Sequence, residues 1–175
     1  MTKLRKILGK ADSPYIISLM RLIETQNKST IVIWCNEYAR EHILPIYREY
    51  YPDDFRLVNA LNAVNEWLEG NIKLTEAKKI VREAQIAARE ADKNPASQAA
   101  ARAIAATTAT INTITSSLGL AFYGSAAVAY SSVGVNENEE VYDEIAAREC
   151  EKMEEALREV AIIDEPNPAK INWYC

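Results

Sequence analysis

Between Ala103 and Asn136 the chain carries no charged residue. On paper the stretch is long enough to span ~30 Å of hydrocarbon. Its content is wrong for that, being mostly Ala, Thr and Ser, because membrane insertion is driven by large apolar side chains. The segment therefore reads as a buried, close-packed helix pair in a globular domain with no membrane partner. Few breakers are available to fold it any other way: the 175 residues include only 5 glycines and 6 prolines, whereas a sandwich or barrel needs a turn signal every ~8–12 residues. The sequence predicts an all-α, single-domain bundle of about six or seven helices over residues 1–175. Nothing recurs at a fixed period, so a solenoid is not indicated.

Helical spacing sets the expected elements. Ser13 is placed to cap a first helix, with Pro14 in its first turn, and the apolar pattern fades at Gln26 and Asn27. Ser29 or Thr30 opens a second helix with Ile31, Trp34, Cys35, Tyr38, Ala39 and His42 on one side, which Pro45 should kink or end. After Tyr51-Pro52-Asp53-Asp54, a third helix buries Leu57, Val58, Leu61, Val64 and Leu68 and ends at Gly70, where positive φ is needed. The fourth, from about Thr75, lines up Ala77, Ile80, Val81, Ala84, Ala87, Ala88 and Ala91. The fifth starts at Pro95 and runs to about Ile111. Small faces of this kind let helix axes approach at the low end of ~8–10 Å, so the fourth and fifth helices should lie tightly together. A break at Ser116–Gly119 precedes a helix from Leu120 to about Ser132, and Asn136 can cap a last helix whose inward stripe is Tyr142, Ala146, Cys150, Met153, Leu157 and Val160. Residues 1–12 form a basic arm. Residues 164–175, with Pro166 and Pro168, form a non-helical tail expected to dock through Ile171, Trp173 and Tyr174.

Charge is uneven. Residues 1–28 hold six basic and two acidic side chains, and Glu137 to Glu165 hold twelve acidic and three basic. Expected pairs within the last helix are Glu144–Arg148 and Glu154–Arg158, and its acidic face can also meet a basic partner. The net charge of -5 argues against a nucleic-acid partner, which calls for a basic face. Cys35, Cys150 and Cys175 are odd in number and far apart, so a reducing, cytoplasmic setting fits best. The alanine faces can also pair two chains as a homodimer, or lie wholly inside a monomer.

With His42 as the only histidine, the usual zinc sites and paired Glu-x-x-His di-iron sites cannot be built. Cys35 lies two helical turns away, about 10 Å by helical rise, so no Cys/His dyad forms. No catalytic residue, metal or cofactor is assigned, and His42 is expected to be buried. The remaining candidates for a polar or partner-binding site are His42, Tyr51, Asp53, Asp54, Arg56, Arg89 and Arg102. Asp53 or Asp54 can cap a helix while Arg56 pairs with a neighbouring carboxylate. Arg89 and Arg102, set among alanines, are expected in structural ion pairs with Asp53, Asp54 or Glu66. An enzyme or small-ligand protein built around His42, Asp53, Arg56 and Arg89 would need those groups to converge on one concave pocket.

Two stretches carry a family resemblance. One runs Trp34-Cys35, Ala39, Ile43-Leu44-Pro45-Ile46-Tyr47, Tyr51-Pro52-Asp53-Asp54, Arg56, Ala60, Ala63, Trp67, Gly70. The other runs Ala84, Ala87-Ala88-Arg89-Glu90-Ala91, Ala96, Ala99-Ala100, Arg102. In combination they resemble the bacterial immunity-protein family with the immunity-five-like domain of polymorphic toxin systems, over about residues 30–130. The resemblance implies a helical fold and a non-enzymatic role in binding and neutralising a cognate toxin. Where the family pattern carries histidines after the alanine-rich stretch, this chain has Asn112 and Ser116 or Ser117, so no chemistry of those histidines carries over.

Overall fold

A computed structural model describes residues 3–174; the third cysteine, Cys175, lies outside them. The described residues form helices and no strands. They are α1 (Pro14–Ile23), α2 (Lys28–Tyr38), α3 (Leu44–Tyr50), α4 (Arg56–Leu68), α5 (Leu74–Glu90), α6 (Pro95–Ala109), α7 (Ser117–Val133) and α8 (Glu139–Val160). A π turn over Ala39–Ile43 joins α2 to α3 end to end, so the bundle has seven helical rods. No described helix is long and apolar enough to cross a membrane.

The uncharged segment is the centre of the bundle. α6 and α7 pack so closely that a Cβ built on Gly119 would lie 2.3 Å from the Cβ of Ala106. Only glycine fits there, which is why Gly119 sits inside α7 although its residue type suggests a break. The true break comes earlier, at Thr110–Thr113. There Thr108 Oγ1 donates to the Ile104 carbonyl at 2.9 Å and Thr110 Oγ1 to that of Thr107, so the hydroxyls take up backbone acceptors and loosen the helix end. α7 consequently begins at Ser117 rather than Leu120. Of the expected stripe on the fourth helix, Ala77, Val81, Ala84, Ala87 and Ala88 of α5 and Ala91 just past its end are buried, while Ile80 is only half-buried.

Two helix starts differ from expectation because a different side chain supplies the cap, and a third, at Pro14, stands where expected but without its side-chain cap. Asn27 Oδ1 accepts from the Thr30 N–H at 2.9 Å and starts α2 at Lys28. Asn138, not Asn136, accepts from the Val141 N–H at 3.0 Å. Ser13 Oγ accepts from the Lys10 N–H instead of capping α1. Gly70 takes the expected positive φ, +79°.

The arm and the tail are both tied down. Leu8 is buried and its N–H donates to the Phe122 carbonyl at 3.1 Å, while Arg5 pairs with Glu139 at 3.0 Å. In the tail, Ile171 and Trp173 pack on the core, and the Trp173 indole donates to Glu24 at 2.6 Å. Tyr174 does not dock; it is 87% exposed because the chain turns through φ +54° there and points it outward. Val160, at the last turn of α8, is likewise exposed.

Candidate functional site

The π turn decides which side chains of the α2–α3 rod face outward. Pro45 has no N–H and its ring would clash with the carbonyl one turn back. The Leu44 N–H instead bonds to the Ala39 carbonyl, five residues back, and the widened turn shifts the inward stripe from Trp34, Cys35 and Tyr38 to Ile43, Leu44 and Tyr47. His42 is thereby turned out. Its side chain is 46% exposed, against the buried position expected from uninterrupted α spacing. Its ring leans on Tyr38 at 4.5 Å and its Nε2 lies 3.8 Å from Glu41.

His42 stands at the edge of a groove of about 330 Å³ between this rod and α8. Trp34 and Tyr38 form the floor. The Trp34 indole donates to the Met153 carbonyl at 2.9 Å, and Tyr38 Oη donates to Glu149 at 2.6 Å. Burial and that carboxylate push the Tyr38 phenol far above its ordinary value, so it stays a donor. Glu37 and Glu41 line one wall, Glu155 and Glu159 the other, with Lys152 the one lysine among them. Lys152 is drawn 3.8 Å from Glu149. Glu149 is 5% exposed and escaped the sequence reading, since its type and its place beside Arg148 suggest a solvated face. The Tyr38 hydroxyl is the partner that lets it be buried.

Asp54 and Arg56 lie elsewhere and close on each other. Arg56 donates to Asp54 at 2.7 Å and to Glu90 at 2.8 Å, while Tyr47 Oη donates to Asp54 at 2.6 Å. The guanidinium beside Asp54 holds its carboxyl down at about 2, and burial with that same carboxylate raises Tyr47 well above the ordinary phenol. Tyr51 stacks on Tyr47 at 5.1 Å. Asp53 is exposed beside them.

Arg89 and Arg102 line a third place, a cavity of about 420 Å³ with Lys6. The structural ion pairs expected for them do not form: Asp54 is held by Arg56, Glu66 accepts from Asn71, and among the described residues no carboxylate comes within 4.0 Å of either arginine. Of the two pairs expected in α8, Glu154–Arg158 forms at 2.7 Å and Glu144–Arg148 does not. The seven candidates thus fall into three separate groups. Cys35 and Cys150 are buried; burial pushes the Cys35 thiol far up and Cys150 to about 11, which keeps both protonated and unreactive. Among the described residues no three His, Cys, Asp or Glu side chains are grouped to hold a metal ion.

Fold and surface together define a helical-bundle protein with charged concavities of opposite sign. The chain belongs to the family described as Imm-5 like putative immunity protein, which matches residues 21–156. No curated protein and no solved structure matches it.

Proposed function

We infer that this chain is an immunity protein that binds a cognate toxin in the cytoplasm and neutralises it by covering the toxin's working surface. The family match over residues 21–156 carries this reading. The acidic groove between the α2–α3 rod and α8 supports a particular face. Four carboxylates rim a floor of Trp34 and Tyr38, which suits a basic, partly apolar surface such as the substrate cleft of a nuclease. An aromatic floor supplies contact area, and the rim charges steer and orient the encounter. His42 belongs to this face; Tyr51, Asp53, Asp54, Arg56, Arg89 and Arg102 do not.

The test is to mix the purified protein with any toxin-like protein encoded beside its gene. A stable complex at micromolar concentration is expected. Glu155→Lys with Glu159→Lys should slow association and weaken the complex by about tenfold or more, with a reduced salt dependence. No complex with the wild-type protein overturns the function. A complex that the double reversal leaves unchanged overturns the choice of face alone.

A further inference from the structure

Five cations that make no ion pair among the described residues line two adjoining cavities beside α5. The first, about 420 Å³, takes Lys6 from the arm, Arg89 from α5 and Arg102 from α6. The second, about 410 Å³, takes Lys78 and Arg82 from α5. Gln85, Ala109 and Ser116 wall both, so the two are halves of one trough. No carboxylate lines either half, in a chain whose net charge is -5. α5 does carry Glu76, Glu83 and Glu90, but on its other sides, and Glu90 is engaged by Arg56 at 2.8 Å.

The arrangement does not serve the helix. Lys78 and Arg82 are like charges four residues apart on one face, which opposes helix formation. Nor is it a convex solvated stripe, because cations from three elements converge on concave space floored by small alanines. Ser116 is the N-cap of the 17-residue α7, so the positive end of that helix adds to the same wall.

We propose that this trough binds a small multivalent oxyanion, a ligand bearing two or more linked phosphoryl groups. Each half offers an arginine with a lysine beside it. An arginine fork matches phosphoryl oxygens bidentately, and a lysine supplies the point charge. The volumes are those of small-ligand sites. A nucleic-acid strand fits less well: Tyr123 is the one aromatic lining residue, whereas strand-binding grooves present successive stacking platforms.

Calorimetric titration of the full chain at low salt with inorganic pyrophosphate and tripolyphosphate tests this, and it needs no toxin. Saturable binding of one equivalent is expected. Arg89→Gln with Arg102→Gln should weaken it by about tenfold or more, and Lys79→Gln, outside the trough, should not. Amide shifts of the wild-type protein on adding pyrophosphate should centre on residues 82–89 and 116, a readout that needs no variant to fold. No saturable binding, equal binding by the folded double variant, or shifts centred elsewhere would each overturn the proposal. So would a single-stranded oligonucleotide that binds more tightly than tripolyphosphate, which would assign the trough to nucleic acid.

Discussion

Two side chains show how much one polar residue can fix. Gln26 is 2% exposed, and both ends of its amide are used. Its Nε2 donates to the Ile162 carbonyl at 3.1 Å, and its Oε1 accepts from the Ile162 N–H at 2.7 Å, in the link that leads from α8 into the tail. Its own carbonyl accepts from the Ala169 N–H at 2.8 Å. Gln26→Ala leaves both Ile162 groups without these partners, at a cost of about 1–3 kcal/mol. Faster hydrogen exchange at the Ile162 amide, with Leu157 in α8 unchanged, is the expected signature; equal protection at Ile162 would show that the clamp is not what holds the tail. Asp54 gives a pH dependence. Its carboxyl is lowered from 3.8 to about 2, so its pairs stabilise the fold fully above 3.8 and lose that contribution as pH falls through about 2. Its side chain is 17% exposed and that of Arg56 30%, which leaves about 1–2 kcal/mol after solvent screening. Asp54→Asn should therefore lower the neutral-pH denaturant midpoint and approach wild type near pH 2. A gap that persists unchanged to that pH would assign the effect to packing. Neither Gln26 nor Asp54 could be ranked from spacing alone. The Asp54–Arg56 pairing was legible because the two residues are neighbours, whereas Gln26 meets a segment more than a hundred residues away.

At the scale of elements, the small-residue stripes were legible and the register shift was not. Alanine at helical spacing has one dominant use, close approach, and α5 buries Ala84 and Ala87 completely. Pro45 signals only that something must give. Whether the chain stops, kinks or widens by one residue depends on what the next turn has to bury, here Ile43, Leu44 and Tyr47. That choice moved His42 from core to surface. Glycine misled for a related reason: Gly119 is required by Ala106 on the facing helix, a partner that residue type does not reveal. The α5 stripe supports a direct test. Ala87→Leu adds methylenes where nothing can yield and should cost about 1–3 kcal/mol; Ala88→Leu, at 7% exposure, should cost less. Glu90→Leu is an unsuitable surface control because Glu90 holds Arg56, whereas Glu83 is exposed and makes no ion pair among the described residues. Denaturant midpoints of Ala87→Leu and Glu83→Leu should differ clearly. Coincident midpoints would mean that α5 and α6 can part without loss.

On the scale of the whole molecule, the alanine faces bear on assembly. Their abundance leaves two outcomes open in the sequence: pairing of two chains through small residues, or burial within one. In the folded chain Ala99, Ala100, Ala101 and Ala103 of α6 and Ala121, Ala126, Ala127 and Ala129 of α7 are all at or below 2% exposure, covered by α5, the α2–α3 rod and α8. The surface that would drive a dimer is thus already used inside. Outside lie scattered apolar side chains such as Phe55 and Ile163 and two charged concavities, an acidic groove and a cationic trough, which favour water or a partner of opposite sign over a flat isologous contact. The chain is therefore expected to sediment as a single species near its formula mass of 19.6 kDa, independent of concentration. The two concavities, being opposite in charge, could instead attract each other between molecules, and salt separates that case. Concentration-dependent association at low salt that disappears above the screening range, where the Debye length falls to about 8 Å, would mean the groove and the trough meet head to tail. Association that persists at high salt would mean an apolar face is shared between chains, and the alanine helices would have to be opened to supply it.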